Sequence, residues 1–521
     1  MNLTEISAAE QVGFPLLSVI VLLPAITALV LMLLKDSAFA VKAAIGVAAV
    51  ELLLTTFAWM SLDTSSSALQ LAESLGFYHL AIDGVSAMFL PATALLTLFA
   101  VMYASESVKE NVSSYLSALL LAQAALMGAF ASANLGLFWI FFVAEIFPCY
   151  FLIKRWGTGE QRDSVARDYL MFMGLASASV LLGFVLLGMN VNGGFTLDYA
   201  TIANHSIDAS LQTVIFFVLC IGFAIKAPLF PLHNWLPKVL EHGPLVGMSV
   251  FLVGIKLGAY GLIRFTVPIL PEATAEWYWL IASFGVASMV YGAMIAMIQT
   301  NLRRLMAFAS VSHMGVVTLG IFSLNVAGLE GGILQALNLG ITGAGLFLIA
   351  SFLSTRVGTP DLSNMGGLYN RAPYMALGFL VIALAAVGMP GTSGFNGEHL
   401  VIIGAFEKHW LMAVFVGIGT ILTAAYFLRF YQRAFLGEEP AEDDGRMIDL
   451  DMREKVIVGA LTAVVLWMGL YTTPFIATMK GSVNAIAERY DAGQHNADSG
   501  QGIPDAHGGV LASDLAGPVK Q

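Results

Sequence analysis

The chain has 521 residues, of which 58% are hydrophobic and 11% are charged. Soluble proteins carry roughly 25% charged residues, so this composition excludes a soluble enzyme or binding domain. The repeated apolar runs of about 20 residues indicate an all-α polytopic membrane protein, because runs of that length match membrane helices rather than barrel strands. The net charge of −11 does not point to nucleic acid, since no basic stripe accompanies it.

The chain contains two cysteines, Cys149 and Cys220. Both lie inside apolar runs, and neither forms a CxxC pair or lies near a histidine at the spacing of a metal site. We therefore predict no disulfide, zinc centre or iron–sulfur cluster in this chain. The first residues, MNLTEISAAEQVG, lack a basic segment and a small-residue cleavage site, so we expect them to be retained.

Fourteen apolar segments are predicted to cross the membrane. They cover about 14–34, 40–60, 85–104, 114–133, 134–154, 168–190, 209–234, 245–267, 277–299, 304–324, 329–354, 374–406, 409–436 and 455–478. The fourth and fifth segments almost touch, which predicts a tight turn at Ser132–Asn134. The seventh and twelfth are too long for one straight helix. We expect the seventh to be discontinuous at Pro228 and Pro231, and the twelfth at Pro390–Gly391.

Lysine and arginine are concentrated in alternate connections, whereas the connections 61–83 and 191–208 contain neither. Because basic residues mark cytoplasmic loops, the basic set is predicted to be cytoplasmic. The opposite set carries few basic residues, among them Arg264 at the end of the eighth segment. Both termini then lie on the non-cytoplasmic side, as an even number of crossings requires.

The two discontinuous segments share a chemical feature. Lys226 lies beside the first interruption and Glu398 beside the second. The segments are five apart, an odd number, so they run in opposite directions. This arrangement is typical of inverted-topology repeats that have discontinuous helices at their functional site, and we predict two inverted five-helix repeats.

The predicted organisation has five parts. They are the N-terminal helices 1–3 (1–113), the first repeat with helices 4–8 (114–268), the second repeat with helices 9–13 (269–436), a cytoplasmic loop with helix 14 (437–478), and a polar tail on the non-cytoplasmic side (479–521). The Gly, Asp and Pro content of the tail predicts disorder.

Ionisable residues inside the apolar segments are the candidate functional residues. They are Glu145, Lys226, Lys256, His313 and Glu398. A charge at the centre of a bilayer costs on the order of 2.5–3.5 kcal/mol or more. Such groups, when joined by water, can pass a proton along the membrane plane. Structural roles stay open for each type: a hydrogen-bonded neutral glutamate, a snorkelling lysine, a histidine bonded to a carbonyl, or a carboxylate that caps a half-helix.

Three other histidines, His233, His242 and His399, lie nearer the interruptions or the membrane surfaces. They are weaker candidates for gate or exit groups of a proton path. The two histidines of the tail, His495 and His507, have no partners at ligand spacing, and we predict no metal site there.

Several stretches resemble one family of membrane proteins. They are KAPLFPLHNWLPKV, the Lys256 helix that ends in GAYGLIRF, RRLMAFASVSHMG and MPGTSGFNGE, together with DGVSAMFL and FPCYFLI. Over roughly residues 80–435 the chain resembles the antiporter-like proton-channel subunits of respiratory complex I. The acidic residue in GFNGE resembles chain M, the relative of mitochondrial subunit 4. The same superfamily includes Mrp-type sodium/proton antiporter subunits and membrane subunits of energy-converting hydrogenases.

The resemblance implies fourteen helices, inverted repeats and proton translocation driven by quinone chemistry in neighbouring subunits. By matching motif, Lys226, Lys256, His313 and Glu398 would form the central axis, with Glu145 as the partner of Lys226. No cofactor is expected in this chain, whereas quinone, FMN and iron–sulfur clusters are expected in partner subunits. The expected partners are other membrane-arm subunits and lipid, in the bacterial inner (plasma) membrane.

Two departures from the family pattern concern helix geometry. In the WExxxxPxYFLI pattern, the position of the glutamate is Val143, and Glu145 follows two residues later. Two residues rotate a helix by about 200°, so pairing with Lys226 requires a local change of the helix. The spacing from Pro244 to Lys256 is one residue short, which a bulge can absorb.

A third departure lies in the eleventh segment. The histidine of the family pattern is Leu339 here, and the nearby Asn338 and Thr342 can hold water but cannot titrate. Together these differences indicate a divergent paralogue.

The leading functional prediction is a proton-translocating membrane-arm subunit of a complex I-type NADH:quinone oxidoreductase, without a redox centre of its own. The alternative is an Mrp-type sodium/proton antiporter subunit or a membrane subunit of an energy-converting hydrogenase-type complex. A third hypothesis is a non-transporting structural subunit, against which the number of buried ionisable groups argues.

Overall fold

The computed structural model describes residues 4–33, 37–191, 194–244, 247–438 and 449–500. Most of these residues are helical. The first helices are α1 (Ala8–Gln11), α2 (Leu16–Leu33), α3 (Ser37–Met60), α4 (Phe89–Ser107), α5 (Val112–Ala131), α6 (Leu135–Ala144), α7 (Ile146–Trp156) and α8 (Arg162–Met189). The middle helices are α9 (Tyr199–Ala203), α10 (Ala209–Lys226), α11 (Trp235–His242), α12 (Met248–Gly254), α13 (Lys256–Gly261), α14 (Pro271–Ile298) and α15 (Leu302–Ile321). The last helices are α16 (Val326–Val357), α17 (Leu368–Arg371), α18 (Pro373–Val387), α19 (Ser393–Lys408), α20 (Trp410–Phe435), α21 (Met452–Leu470) and α22 (Thr473–Gly500).

The described residues contain 11 helical segments that are long and apolar enough to cross a membrane, and the bent pair α21–α22 would add one more. The chain is therefore a multi-pass membrane protein, but the predicted count of fourteen is not confirmed. The difference arises at α4 and α18, whose apolar parts, Phe89–Ser105 and Pro373–Val387, are shorter helices. A helix needs about 20 residues to cross the hydrocarbon core of roughly 30 Å.

The tight turn between α5 and α6 forms where the sequence predicts it, after Ala131. Asn134 begins α6, and its side-chain oxygen accepts hydrogen bonds from the backbone N–H groups of Gly136 and Leu137. This cap satisfies donors that the first helical turn leaves free, so the chain reverses direction within three residues.

Both predicted helix interruptions are confirmed. The helix α10 ends at Lys226, and α11 begins only at Trp235, after the segment that contains Pro228 and Pro231. The helix α18 ends at Val387, and Gly388 adopts a positive φ of 83°, which glycine tolerates without a steric penalty. The next helix, α19, begins at Ser393, beyond Pro390 and Gly391. The division into two inverted repeats stays a prediction.

A small sheet corrects the expectation that the chain is purely α-helical. Strand β1 (Glu5–Ser7) pairs in parallel with β2 (Leu69–Leu75), which pairs antiparallel with β3 (Tyr78–Ile82). The turn of the hairpin contains Gly76 at a φ of 63°, a conformation that favours glycine. These strands are difficult to predict from the sequence because they are short, with three residues in β1 and five in β3, and lie outside the apolar segments.

The prediction of disorder from residue 479 onward is wrong for residues 479–500, which belong to α22. Met479, Val483, Ile486 and Tyr490 recur at helical spacing and are all buried. This apolar stripe packs α22 against the bundle, and tertiary packing is the main source of helix stability. Residues 501–521 lie outside the described part of the chain.

The short spacing before Lys256 coincides with an irregular helix, although residues 245 and 246 lie outside the described part. The helix is irregular at Ile255, where the N–H of Gly258 donates to the carbonyl of Ile255 instead of that of Gly254. A π-helix follows at Leu262–Thr266. The π-helix lies after Lys256 and does not affect the spacing before it, so the bulge expected between Pro244 and Lys256 stays a prediction.

A histidine in β3 joins three separate segments on the face that carries the N-terminus. The ring of His79 contacts Asp198 through Nδ1 at 3.2 Å and Glu5 of β1 through Nε2 at 3.1 Å. The hydrogen bond to Asp198, with a further contribution from Glu5, raises the pKa of His79. The same hydrogen bond lowers the pKa of Asp198 to about 2.

We expect His79→Gln to destabilise the protein by about 1 kcal/mol at pH 5.5. This is less than a fully buried charged hydrogen bond contributes, because both carboxylates are partly exposed to solvent. Because folding raises the pKa of His79, the histidine contributes its full stabilisation at a pH below its pKa in the unfolded chain. This stabilisation is lost as the pH rises through its pKa in the folded chain. Unfolding of the detergent-solubilised protein at pH 5.5 and pH 9 tests this, with His205→Gln as the control. An equal loss at both pH values would contradict it.

Candidate functional site

Glu145 and Lys226 form a buried ion pair, although Glu145 is displaced along its helix. Their side chains are only 1% and 3% exposed. Glu145 lies at the junction of α6 and α7, three residues before Pro148, which has no backbone N–H to continue the helical hydrogen bonds. At this junction the carboxylate of Glu145 faces Lys226. The thiol of Cys149 also donates to Oε1 of Glu145 at 3.3 Å.

The backbone around this pair leaves little free space. Lys226 is the last residue of α10, and a cation at a helix C-terminus interacts favourably with the helix dipole. Its Nζ also lies 5.1 Å from the ring centroid of Phe142. A Cβ at Gly254 would lie 2.4 Å from Oε1 of Glu145, so the chain passes the carboxylate at a position that only glycine fills without displacing it.

Lys256 and His313 line one small cavity of about 20 Å³ together with Ser310, Leu339 and Thr342. Such a volume holds about one water molecule when polar partners surround it. Both Lys256 and His313 are buried. Nζ of Lys256 lies 3.6 Å from Sδ of Met314, and within the described ranges no carboxylate forms an ion pair with it. An ammonium in this position lacks the counter-charge that Lys226 has.

Glu398 lies at the other end of the series, in the first turns of α19. Its Oε1 accepts a hydrogen bond from Gln335 at 3.4 Å, and its Oε2 accepts one from Thr420 at 3.2 Å. A Cβ at Gly388 would lie 2.3 Å from Oε2. Each of the two buried carboxylates is therefore approached closely by a glycine backbone.

The secondary candidates fall into different environments. Asn338 belongs to the Glu398 end, where it donates to Gln335 at 3.4 Å and accepts from Ser393 at 2.5 Å. Thr342 lines the Lys256 cavity, and its hydroxyl donates to the carbonyl of Asn338.

The three secondary histidines lie apart from this series. His233 is buried among the rings of Phe230, Tyr291 and Phe308, with centroid distances of 5.8, 5.1 and 6.3 Å. His399 is exposed and stacks on Phe395, and His242 is half-buried at the end of α11. In the part of the chain that the structure covers, none of the three bonds to the five principal residues through its ring.

The geometry thus brings together a buried ion pair, a second buried lysine, a histidine and a buried carboxylate. Residues 132–423 match the family model described as "NADH:quinone oxidoreductase/Mrp antiporter, TM". This chain belongs to that family. The NADH-quinone oxidoreductase subunit M of Rickettsia typhi is 31% identical over 493 residues, which cover 91% of this chain and 99% of the relative.

Solved structures agree with the family assignment. A chain of respiratory complex I from Thermus thermophilus superposes with a TM-score of 0.83 at 28% identity, covering 91% of this chain and 99% of that chain. A chain of the Mrp complex from Dietzia sp. DQ12-45-1b gives a TM-score of 0.80 at 23% identity, covering 92% and 98%. The second likeness shows the shared fold of the antiporter-like family.

One buried ion pair, between Arg264 and Asp83, is not among the candidate residues predicted from the sequence. Arg264, which the sequence analysis places in a loop at the end of the eighth segment, is buried in the π-helix and pairs with Asp83. Its guanidinium carbon also lies 4.4 Å from the ring centroid of Tyr199. Arg264 lies near the end of an apolar segment. Because loop residues and buried, paired residues both occur at such positions, the sequence alone does not distinguish them.

Other buried polar residues also escape the sequence analysis. Glu51 of α3 is fully buried, and its carboxyl oxygens find no hydrogen-bond partner among the described residues. The hydroxyl oxygen of Tyr426, in α20, lies 3.3 Å from Nε2 of His313. The spacing of Thr420, Thr423 and Tyr426, three residues apart each time, is the signal that could have identified one polar face of α20.

One group of side chains has the composition of a metal site. The ligand atoms of Glu5, His79 and Asp198 all lie within 4.8 Å of one another. Both ring nitrogens of His79 are already engaged by the two carboxylates, so a cation would have to displace a hydrogen bond. The arrangement is that of a bridging histidine between two acids.

Proposed function

We propose that this chain is a proton-translocating membrane-arm subunit of a complex I-type NADH:quinone oxidoreductase. The observation that carries the proposal is the buried Glu145–Lys226 pair, which begins a series of buried polar groups. A buried ion pair is expensive to desolvate and contributes little net stability, so a role in moving charge accounts for it better than a structural role. The names of the relatives support the same assignment.

Each residue of the series has a proposed role. Glu145 stabilises the ammonium charge of Lys226 while the two side chains are paired. When the pair separates, that stabilisation is lost and the charge on Lys226 can move on. Lys256 and His313 exchange a proton through the small cavity that both of them line. Glu398 receives or delivers the proton at the far end, where Gln335 and Thr420 orient its two oxygens. Transfer along these groups moves charge in the membrane plane without a redox centre in this chain.

The proposal extends to the surroundings of the chain. Quinone, FMN and iron–sulfur clusters would lie in partner subunits, and other membrane-arm subunits would flank this one. The basic connections would face the cytoplasm of a bacterium, with both termini on the opposite side of the plasma membrane.

The alternative is an Mrp-type antiporter subunit, which the family description also covers. Purification of the native complex through an affinity tag on this chain separates the two. Flavin and iron–sulfur subunits with NADH:quinone activity would support the proposal. Copurification of antiporter subunits alone, with sodium-dependent transport that is insensitive to quinone-site inhibitors, would contradict it.

A structural subunit that moves no ions is the third hypothesis. It predicts that neutral replacements at all five principal residues leave ion transport by the complex intact. The proposal predicts that at least the replacements at the Glu145–Lys226 pair reduce it.

A further inference from the structure

His313 and Glu398 belong to different helices, and the polar face of α20 lies between them. The hydroxyl of Tyr426 lies 3.3 Å from Nε2 of His313 and 3.4 Å from Oγ1 of Thr423. One turn along, the hydroxyl of Thr420 donates to Oε2 of Glu398 at 3.2 Å. Residues three positions apart lie on one helix face at about 5–6 Å between Cβ atoms, so the three hydroxyls line one strip from the histidine to the carboxylate.

The helix α16 offers a second polar strip, but its chemistry differs. Its members near Glu398 are the amides of Gln335 and Asn338. An amide donates from nitrogen and accepts at oxygen, whereas a hydroxyl does both at one atom. Only the hydroxyl can accept a proton on one side while it releases its own on the other. The next residue of α16, Leu339, adds an apolar side chain to the Lys256 cavity.

We propose that Tyr426, Thr423 and Thr420 form a hydroxyl relay that carries protons between His313 and Glu398. In the forward direction, Nε2 of protonated His313 gives its proton to the oxygen of Tyr426 as the phenol releases its own to Thr423. Thr423 passes a proton to Thr420 through one bridging water, and Thr420 releases its proton to the carboxylate of Glu398. The imidazole ends neutral and the carboxyl protonated, while each hydroxyl and the water keep their number of protons. The inference rests on the proposed function, because it adds a route between two of its residues.

The test replaces Tyr426 by phenylalanine, which removes only the relay oxygen. We expect about a tenfold fall in the rate of proton translocation by the reconstituted complex, since the hydroxyl that links His313 to Thr423 is lost. Tyr431→Phe is the matched control, because Tyr431 lies on the same helix but packs against Phe379 and Phe435. Thr423→Val is a second variant that removes a relay oxygen at nearly constant volume and should give the same result.

A rescue variant separates a relay from a packing role. Leu339 lines the cavity that His313 lines, so Leu339→His places a titratable group in the cavity beside His313, at the start of the relay. The double variant Leu339→His/Tyr426→Phe should recover translocation, whereas a packing defect at Tyr426 would not be repaired there. Unchanged translocation in both Tyr426→Phe and Thr423→Val, or a loss in Tyr426→Phe that Leu339→His leaves in place, would overturn the relay. Failure of the proposed function is recognised separately, because it would leave Lys226→Ala fully active as well.

Discussion

Replacement of Lys226 by alanine is expected to reduce proton translocation by the reconstituted complex by at least about tenfold, since a positioned proton-transfer group typically contributes 10²–10⁴-fold. The change leaves the carboxylate of Glu145 without its counter-charge among apolar neighbours. Breaking a buried pair in this way costs about 3–5 kcal/mol of folding stability. Glu145→Ala should have the same two effects, because it leaves the ammonium unpaired.

A double variant distinguishes the functional loss from the loss of stability. Glu145→Gln/Lys226→Met removes both charges at similar volume, and such replacements of buried pairs are often neutral or stabilising. We expect the free energy of unfolding to return to near the wild-type value, while the rate of proton translocation stays low. Lys154→Ala, at an exposed lysine of α7, is the control and should change neither quantity. Normal translocation in the double variant would exclude a role of the pair in charge transfer.

Arg264→Ala is expected to destabilise the protein by about 3–5 kcal/mol, because it leaves Asp83 as an unpaired buried charge. The two side chains are 4% and 5% exposed. Asp83 also accepts hydrogen bonds from the backbone N–H groups of Val85 and Ser86, each at 3.1 Å. The pair thus ties the turn before α4 to the π-helix after Lys256, and its loss removes contacts on both sides.

An exposed ion pair provides the matched control for Arg264. Lys238 and Asp168 lie 2.8 Å apart, but their side chains are 56% and 33% exposed. Lys238→Ala should cost less than about 1 kcal/mol, as exposed pairs do. Denaturant unfolding in detergent measures both variants. Equal losses for Arg264→Ala and Lys238→Ala would show that burial does not set the strength of the Arg264 pair.

Features written in local sequence could be predicted. Proline in a helix interior removes a backbone hydrogen bond, and two prolines close together, or a proline followed by glycine, favour a break. The interruptions at Pro228–Pro231 and Pro390–Gly391 are therefore predictable from the sequence, whereas the single Pro24 stays inside α2. Lysine and glutamate are costly in an apolar segment, and this cost identifies Lys226 and Glu398 without knowledge of their partners.

Features that depend on tertiary packing could not be predicted. The resemblance implies that Glu145 is the partner of Lys226, but the contact between the two side chains shows only in the folded chain. Arg264 resembles a loop residue until Asp83, far away in the chain, is placed beside it. The strand β1 gains its hydrogen bonds from β2 only after the chain folds back.

The helix count and the tail show the limits of hydropathy. α22 is polar enough on one side to resemble a disordered tail, yet its buried stripe packs against the bundle. Hydropathy predicts crossings at 85–104 and 374–406, where the structure has the shorter apolar helices α4 and α18. For α22, the surrounding helices supply the burial that stabilises the helix.

Lys226 and Glu398 are proposed to act in series on one proton path. The most direct test measures the protons translocated per NADH oxidised by the reconstituted complex for Lys226→Ala, Glu398→Gln and the double variant. A path in series predicts that each single variant lowers the ratio by the same amount and that the double variant lowers it no further. An unchanged ratio in the single variants, or losses that add in the double variant, would contradict a single path through these residues.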